Sequence, residues 1–259
     1  MSLRWKIEPA GNNLSDFGQL QDQAHVWLAN PHVLSAAAQQ QRYEQWLSDT
    51  ELTRYQRFRF DRDRHLYLVA HALNRVVLSR YTPGVDPAMW RFVTNEYGRP
   101  ELEPSMPFAN RLRFNISHTH GLVACIVTDG IDCGVDVEQA RPLDELWAIA
   151  HSVFAERELA DLRSLEVLDQ HPRFYDYWTL KESYIKARGM GLSLPLQGFS
   201  FRFANGELQG VEFDPSLNDD ATQWQFHVAQ VASKDHKLAV GLKIGYTTPR
   251  QIVCRWLEP

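Results

Sequence analysis

The stretch GVDVEQARP (residues 134–142) sets two acids, Asp136 and Glu138, among the apolar residues of a strand. Alternate residues of a strand point to the same face, so these two acids share one face while Val135 and Val137 face the core. The two carboxylates then stand roughly 6.6–7 Å apart along the chain and can converge on one hard cation. A half-exposed strand with solvated acids gives the same alternation. This stretch alone leaves both interpretations open.

The composition indicates a folded chain without general affinity for nucleic acid. The 259 residues suffice for one large domain or two of ordinary size, and 44% of them are hydrophobic. The formal net charge of -5 argues against general nucleic-acid binding. No stretch approaches the roughly 20 apolar residues of a membrane helix, so we expect no membrane partner.

The cysteines and the amino terminus indicate a reducing compartment. Cys125, Cys133 and Cys254 show no metal-ligand spacing, and we expect buried thiols. The opening MSLRWKIEPAGNN has no long apolar core, so it does not resemble a secretory signal. A cytoplasmic protein is expected.

Hydrophobic periodicity predicts helices and strands that are partly segregated along the chain. A capping box at Ser48 and Glu51 predicts a short helix through Arg57, and residues 62–81 have the spacing of a long helix. Residues 142–188 are expected to form three helical segments, broken near His151 and at His171-Pro172. Strands are expected in AHVWLAN, WRFVT, RLRFNIS, LVACIVT, CGVDVE, FSFRF, VEFD, QFHVAQV and KLAVGLKI. The pattern favours an α+β fold with antiparallel sheets and two similar lobes, residues 1–130 and 131–259.

A second segment, FYDYWTLKESYIKARGMGLSLPL (174–196), predicts a helix with a buried aromatic stripe. On it Glu182 and Lys186 are four residues apart, which by itself indicates a surface salt bridge worth roughly 0.2–0.5 kcal/mol. A carboxylate beside a buried stripe is more often paired or bound to a metal. Gly189 is expected to end the helix as a left-handed cap rather than to form a phosphate loop.

A third segment, FNISHTHG (114–121), places Ser117 and His118 at the end of a strand. Neighbouring strand residues face opposite ways, so they cannot form a nucleophile and base pair. His118 and His120 could bind zinc, but the sequence indicates no further ligand. Phosphate contacts fit Ser117 and His118 better, and two ordinary turn residues remain the alternative.

Taken together, these segments resemble the surfactin-type 4'-phosphopantetheinyl transferases. The resemblance runs in order from about Ser48 to Phe203. The matching motifs are RFRFDRDRH, NEYGRPEL, FNISH, GVDVE and WTLKESYIKARGMGLSLPL.

The resemblance implies a magnesium-dependent enzyme that transfers the phosphopantetheine arm of coenzyme A to a carrier-protein serine. The other product is adenosine 3',5'-bisphosphate. Family members are monomers with two pseudo-twofold α+β lobes that clasp coenzyme A and Mg²⁺. The implied partners are coenzyme A and apo acyl or peptidyl carrier proteins of fatty-acid, polyketide or siderophore-type peptide synthesis. The N-terminal lobe would bind coenzyme A, and the C-terminal lobe would hold the metal and the catalytic helix.

The resemblance also implies site residues. The implied metal ligands are Asp136, Glu138 and Glu182. Catalysis would involve Asp136, Lys186 and Glu182, with Glu182 taking the serine proton directly or through a metal-bound water. The implied coenzyme contacts are Arg54, Arg57, Gly98, Arg99, Pro100, Ser117, His118 and Lys186. Arg99 stands where the family more often has Lys, and either cation can serve a phosphate. SVFAERELADL (152–162) is a candidate contact for the carrier's helix, with an ordinary amphipathic surface helix as the alternative.

Two other functional classes share parts of this pattern. A magnesium-dependent nucleotide pyrophosphatase would use the same acids and cations with a positioned water and no carrier. A non-catalytic carrier-binding relative would be expected to have lost at least one of the three acids, and all three are present here.

Overall fold

The computed structural model of the chain describes residues 6–8, 17–34, 37–231 and 235–257. Its strands are β1 (Lys6–Glu8), β2 (Gln23–Ala29), β3 (Phe92–Thr94), β4 (Pro100–Leu102), β5 (Leu112–Thr119), β6 (Leu122–Asp129), β7 (Cys133–Gln139), β8 (Phe199–Ala204), β9 (Glu207–Phe213), β10 (Trp224–Val231), β11 (His236–Lys243) and β12 (Gln251–Trp256). Its α-helices are α1 (Ala37–Glu44), α2 (Asp49–Gln56), α3 (Asp61–Tyr81), α4 (Leu146–Val153), α5 (Glu156–Ser164) and α6 (Val167–Arg188). The α+β class predicted from the sequence is confirmed.

The chain forms two compact units. The first comprises residues 1–95, 100–131 and 249–259, and the second comprises residues 96–99 and 132–248. The predicted boundary after residue 130 lies one residue before the division between residues 131 and 132. The last eleven residues, which the sequence pattern placed in the second lobe, belong to the first unit because β12 pairs with β1 and β2.

The first unit contains a five-stranded mixed sheet in the order β1-β12-β2-β6-β5. The pairings β2-β6 and β5-β6 are antiparallel, as expected, but β12 runs parallel to both of its neighbours. The long helix α3 packs on β5 and β6 and buries Val69, Leu73 and Val77. The predicted capping box is present at the start of α2, where the Glu51 N–H donates to Ser48 Oγ.

The second unit contains the antiparallel sheet β10-β11-β7 and the hairpin β8-β9. Helix α6 packs on β7 and β11, and its predicted stripe is buried at Phe174 and Ile185 and half-buried at Trp178. Within the described ranges, no helix is both long and apolar enough to cross a membrane. All three cysteines of the chain are buried thiols.

The predicted helix break at His171-Pro172 is wrong, because α6 continues through Pro172. Proline removes one hydrogen bond and crowds the carbonyl four residues earlier, which here belongs to the exposed Leu168 in the first turn. The cost falls near the helix start, while the buried residues that follow hold the helix together. The break between α5 and α6 lies instead at Leu165 and Glu166.

Candidate active site

A pair of glycines brings α6 against the strand that bears the two acids. Gly134 of β7 and Gly241 of β11 are direct partners in the sheet. A Cβ atom on Gly134 would lie 2.0 Å from the carbonyl oxygen of Ser183 and 2.6 Å from the amide nitrogen of Ala187. A Cβ on Gly241 would lie 3.2 Å from the same carbonyl. The helix backbone therefore rests on the sheet at a point where only glycine fits at position 134.

This close approach places Lys186 of α6 beside Asp136 of β7. Lys186 Nζ donates to Asp136 Oδ1 at 2.6 Å. The Asp136 side chain is 5% exposed and the Lys186 side chain is 25% exposed. A short, largely buried contact between charged groups is among the stronger hydrogen bonds in proteins. The surface salt bridge that the sequence allowed between Glu182 and Lys186 is replaced, in the described structure, by this contact with the strand.

Glu182 lies next to Lys186 on the same helix and is half-buried. Burial raises the pKa of its carboxyl, the Asp136 carboxylate raises it further, and the Lys186 ammonium partly offsets both effects. Among the residues that the structure describes, none donates a hydrogen bond to the Glu182 carboxyl. Two carboxyl groups thus repel each other here, which is an environment that favours either a bound cation or a proton.

Glu138, the third predicted ligand, is half-buried two residues beyond Asp136 on β7. Its sheet partner is Lys237, whose ammonium donates to Asp176 at 2.6 Å. Burial and the nearby Glu138 carboxylate raise the pKa of Tyr175 on α6. Glu138 therefore faces α6 from the same face of β7 as Asp136, and the alternation had predicted this shared face for the two acids.

The fit of this site to a metal ion rests on the chemistry of its donors. Asp136, Glu138 and Glu182 offer carboxylate oxygens, the ligands that Mg²⁺ prefers. Across the described part of the chain, no group of three or more His, Cys, Asp or Glu side chains is arranged to hold a metal ion. The donor types fit Mg²⁺, and the three-carboxylate set stays a prediction.

The carboxyl end of α6 is held by Arg99 and Gly189. Gly189 adopts φ +64°, so the predicted left-handed cap is confirmed. Arg99 Nη1 donates to the carbonyl oxygen of Ala187 at 2.8 Å, and Arg99 Nη2 lies 3.7 Å from Asp132 Oδ1. A cation suits the negative end of the helix dipole. Arg99 therefore has a structural contact that the sequence pattern did not indicate. Its predicted coenzyme contact stays a prediction.

Of the remaining predicted coenzyme residues, Ser117 is buried and the others are exposed, in a loop, on strands or near the end of a helix. Gly98, with φ +86°, and Pro100 lie in and after the loop that joins β3 to β4. Ser117 is buried and His118 is exposed, so the two face opposite ways as expected for a strand. Arg54 and Arg57 are exposed near the end of α2.

A buried ion pair next to Glu182 was missed by the sequence reasoning. Lys181 is 2% exposed and Glu158 of α5 is 0% exposed, with Lys181 Nζ 2.8 Å from Glu158 Oε2. Lys181 also donates to the carbonyl oxygen of Phe199 at 2.6 Å, and Glu158 accepts from the Phe201 N–H at 2.9 Å. No sequence spacing links α5 to α6 in this way. Within the candidate carrier segment 152–162, Glu158 therefore faces inward.

Comparisons with known proteins show the family of the chain. A family model described as the 4'-phosphopantetheinyl transferase superfamily matches residues 132–241. A second, described as 4'-phosphopantetheinyl transferase, N-terminal, matches residues 35–129. The two matched ranges together include every predicted site residue.

Curated relatives bear related names. The chain is 35% identical to the 4'-phosphopantetheinyl transferase Sfp of Bacillus subtilis (strain 168), over 68% of this chain and 75% of Sfp. It is 34% identical to the 4'-phosphopantetheinyl transferase HetI of Nostoc sp., over 67% of this chain and 72% of HetI. A further 4'-phosphopantetheinyl transferase of Bacillus subtilis is 32% identical over 79% of this chain and 86% of its own length. The chain belongs to the Sfp-type 4'-phosphopantetheinyl transferase family and is a transferase enzyme.

Proposed function

We propose that this enzyme transfers the 4'-phosphopantetheine arm of coenzyme A to a serine of an acyl or peptidyl carrier protein. Adenosine 3',5'-bisphosphate is the second product. The observation that supports this most is the approach of α6 to β7, which sets Lys186 at 2.6 Å from Asp136 and brings the Glu182 carboxyl into the field of Asp136. The names of the relatives support 4'-phosphopantetheine as the group that is transferred. A cytoplasmic monomer is part of the proposal.

The proposed metal is Mg²⁺, which Asp136, Glu138 and Glu182 would hold through carboxylate oxygens. When bound, it would neutralise negative charge on the coenzyme's pyrophosphate. Three carboxylates and a pyrophosphate carry more negative charge than one divalent ion balances. Lys186 supplies a further positive charge within the same group.

In the proposed reaction, the carrier serine oxygen forms a bond to the β-phosphorus of coenzyme A. The bond from that phosphorus to the bridging pyrophosphate oxygen breaks, and the bridging oxygen leaves with the bisphosphate. Glu182 accepts the serine proton, because an un-ionised hydroxyl is a poor nucleophile at neutral pH. The Lys186 ammonium has three donors, so it can bond Asp136 and still donate to a phosphate oxygen.

The proposed coenzyme contacts are Arg54, Arg57, Gly98, Arg99, Pro100, Ser117, His118 and Lys186. All except Pro100, which has no backbone N–H, can bind phosphate through a cation, a hydroxyl, an imidazole or a backbone amide. Of these, Arg54 and Arg57 are exposed on the first unit, where a phosphate could reach them from solvent.

The test is incubation of the purified chain with coenzyme A and Mg²⁺, with and without an apo carrier protein. Intact-mass spectrometry should show the carrier gaining one phosphopantetheine, with bisphosphate released in equal amount only when the carrier is present. A carrier whose modified serine is replaced by alanine is the matched control. Bisphosphate release without any carrier would identify a pyrophosphatase. A carrier that binds and gains no mass would identify a non-catalytic relative.

A further inference from the structure

Two exposed histidines meet at one end of the five-stranded sheet in the first unit. The ring centroids of His32 and His120 are 5.3 Å apart, and the ring planes are inclined by 67°. The sequence raised zinc binding at His118 and His120 but indicated no further ligand. The fold brings the imidazole of His32 to His120 from a distant part of the chain.

The strand register explains why these two loops lie together. β2 and β6 are antiparallel, with Ala29 opposite Val123. His32 follows the end of β2, and His120 lies in the tight loop that joins β5 to β6. Both loops therefore leave the sheet at the same end. The His32 N–H donates to Asn30 Oδ1 at 2.9 Å, and Gly121 closes the other loop with φ +80°.

The distance between the ring centroids allows the two imidazoles to share one metal ion. A zinc–imidazole bond of about 2.0–2.1 Å puts each ring centre about 3.2 Å from the ion, and a tetrahedral angle then separates the ring centres by about 5.2 Å. The observed 5.3 Å agrees with that separation. We propose that His32 and His120 form a two-imidazole site for a divalent ion of borderline softness, such as Zn²⁺, Ni²⁺ or Cu²⁺.

The donors define the class of ion. Imidazole nitrogen suits Zn²⁺, Ni²⁺ and Cu²⁺, whereas Mg²⁺ prefers oxygen ligands, so this site differs in kind from the carboxylates of β7 and α6. No set of three His, Cys, Asp or Glu side chains suited to a metal occurs within the described ranges. The proposal names His32 and His120 as the two protein ligands and leaves His118 outside the pair; water would take the remaining coordination positions. The proposal does not depend on the transferase activity.

The test is titration of the untagged full chain with Ni²⁺ by calorimetry, together with Cu²⁺ electron paramagnetic resonance to count coordinated nitrogens. Loss of a group that merely supports a metal ligand typically costs about 10- to 100-fold in affinity. His32→Ala and His120→Ala should therefore each weaken the tightest Ni²⁺ site by at least tenfold. The Cu²⁺ spectrum should show two imidazole nitrogens in the wild type and fewer in each variant.

Two control variants separate this site from adventitious binding. His151→Ala removes an exposed histidine of the second unit, and His118→Ala removes the histidine nearest in sequence to His120. Both should retain wild-type Ni²⁺ affinity, with circular dichroism showing that all four variants are folded. Wild-type affinity in both His32→Ala and His120→Ala would overturn the proposal. An equal loss in His118→Ala or His151→Ala would also overturn it.

Discussion

Replacing Gly134 by alanine tests whether the contact between β7 and α6 positions the catalytic groups. The new Cβ would lie 2.0 Å from the Ser183 carbonyl oxygen, and real Cβ atoms essentially never approach closer than 3.0 Å. Helix α6 must then retreat by about 1.0 Å, which moves the backbone of Lys186 relative to Asp136, its partner at 2.6 Å. The Lys186 side chain must then change its conformation to keep this hydrogen bond.

A misplacement of about 1 Å can cost about a hundredfold in rate. We therefore expect Gly134→Ala to lower kcat by about that factor, and overpacking should lower the free energy of unfolding by about 1–3 kcal/mol. Steady-state kinetics of carrier modification and urea unfolding measure the two effects. The Cβ of Gly241→Ala would lie 2.9 Å from the Phe226 ring, which can shift, and 3.2 Å from the same carbonyl. This variant should have a smaller effect on kcat, and it replaces Gly134→Ala in the test if that variant does not fold.

Val211→Ala is the matched control for lost stability. Val211 is buried in β9 of the same unit, so its truncation destabilises the core without adding an atom between β7 and α6. It should lower the free energy of unfolding and leave kcat unchanged at a temperature where the protein stays folded. The positioning argument fails if Gly134→Ala loses stability with kcat intact, or if Val211→Ala loses kcat to the same degree.

Three further predictions concern the catalytic helix, the first unit and the buried ion pair. Glu182→Gln should lower kcat by at least about a hundredfold, because the serine proton loses its acceptor. Its affinity for coenzyme A, measured by calorimetry, should fall far less, and equal losses in both would show that Glu182 serves only as a ligand. Burial raises the pKa of Glu51, but the hydrogen bond from His71 and the charge of Arg75 outweigh it and bring the pKa to about 2. This depressed pKa stabilises the fold above pH 4.5, the ordinary value, and the stabilisation is lost as the pH falls toward about 2. Glu51→Gln should therefore lower the Tm at pH 7, and its Tm difference from the wild type should shrink over that range; a constant difference would refute the linkage. Lys181→Met should lower the free energy of unfolding by about 3–5 kcal/mol, because it leaves the Glu158 carboxylate buried without its cation. Chemical denaturation of Lys181→Met, Glu158→Leu and the double variant should show the double variant less destabilised than the sum of the singles.

Much of the fold follows from local patterns in the sequence. The structure contains the two helices that were predicted from the capping box at Ser48 and Glu51 and from the apolar spacing over 62–81. These signals can be recognised in the sequence because a cap and an apolar period each involve residues that are close along the chain. The alternation in GVDVE predicted a strand with Asp136 and Glu138 on one face, and the packing of α6 on that face is known from the structure alone. Pro172 misled the helix assignment, since tertiary packing of the later turns outweighs one lost hydrogen bond.

The features that the sequence could not supply depend on distant partners. The parallel pairing of β12 joins the last strand to β1 and β2 and has no local pattern. The pairs Lys186–Asp136 and Lys181–Glu158 depend on how α6 lies on its neighbours. Gly134 and Gly241 did offer a clue, because glycine inside a strand pattern often marks a close backbone approach.

The central claim is that the acids of β7 and α6 hold the metal ion that transfer requires. It is tested most directly by measuring carrier modification against Mg²⁺ concentration for the wild type and for Asp136→Asn, which keeps the size of the side chain and removes its charge. The account predicts Mg²⁺-dependent turnover for the wild type and turnover reduced by at least about a hundredfold for Asp136→Asn at every Mg²⁺ concentration. Near-normal turnover of Asp136→Asn at saturating Mg²⁺ would contradict it.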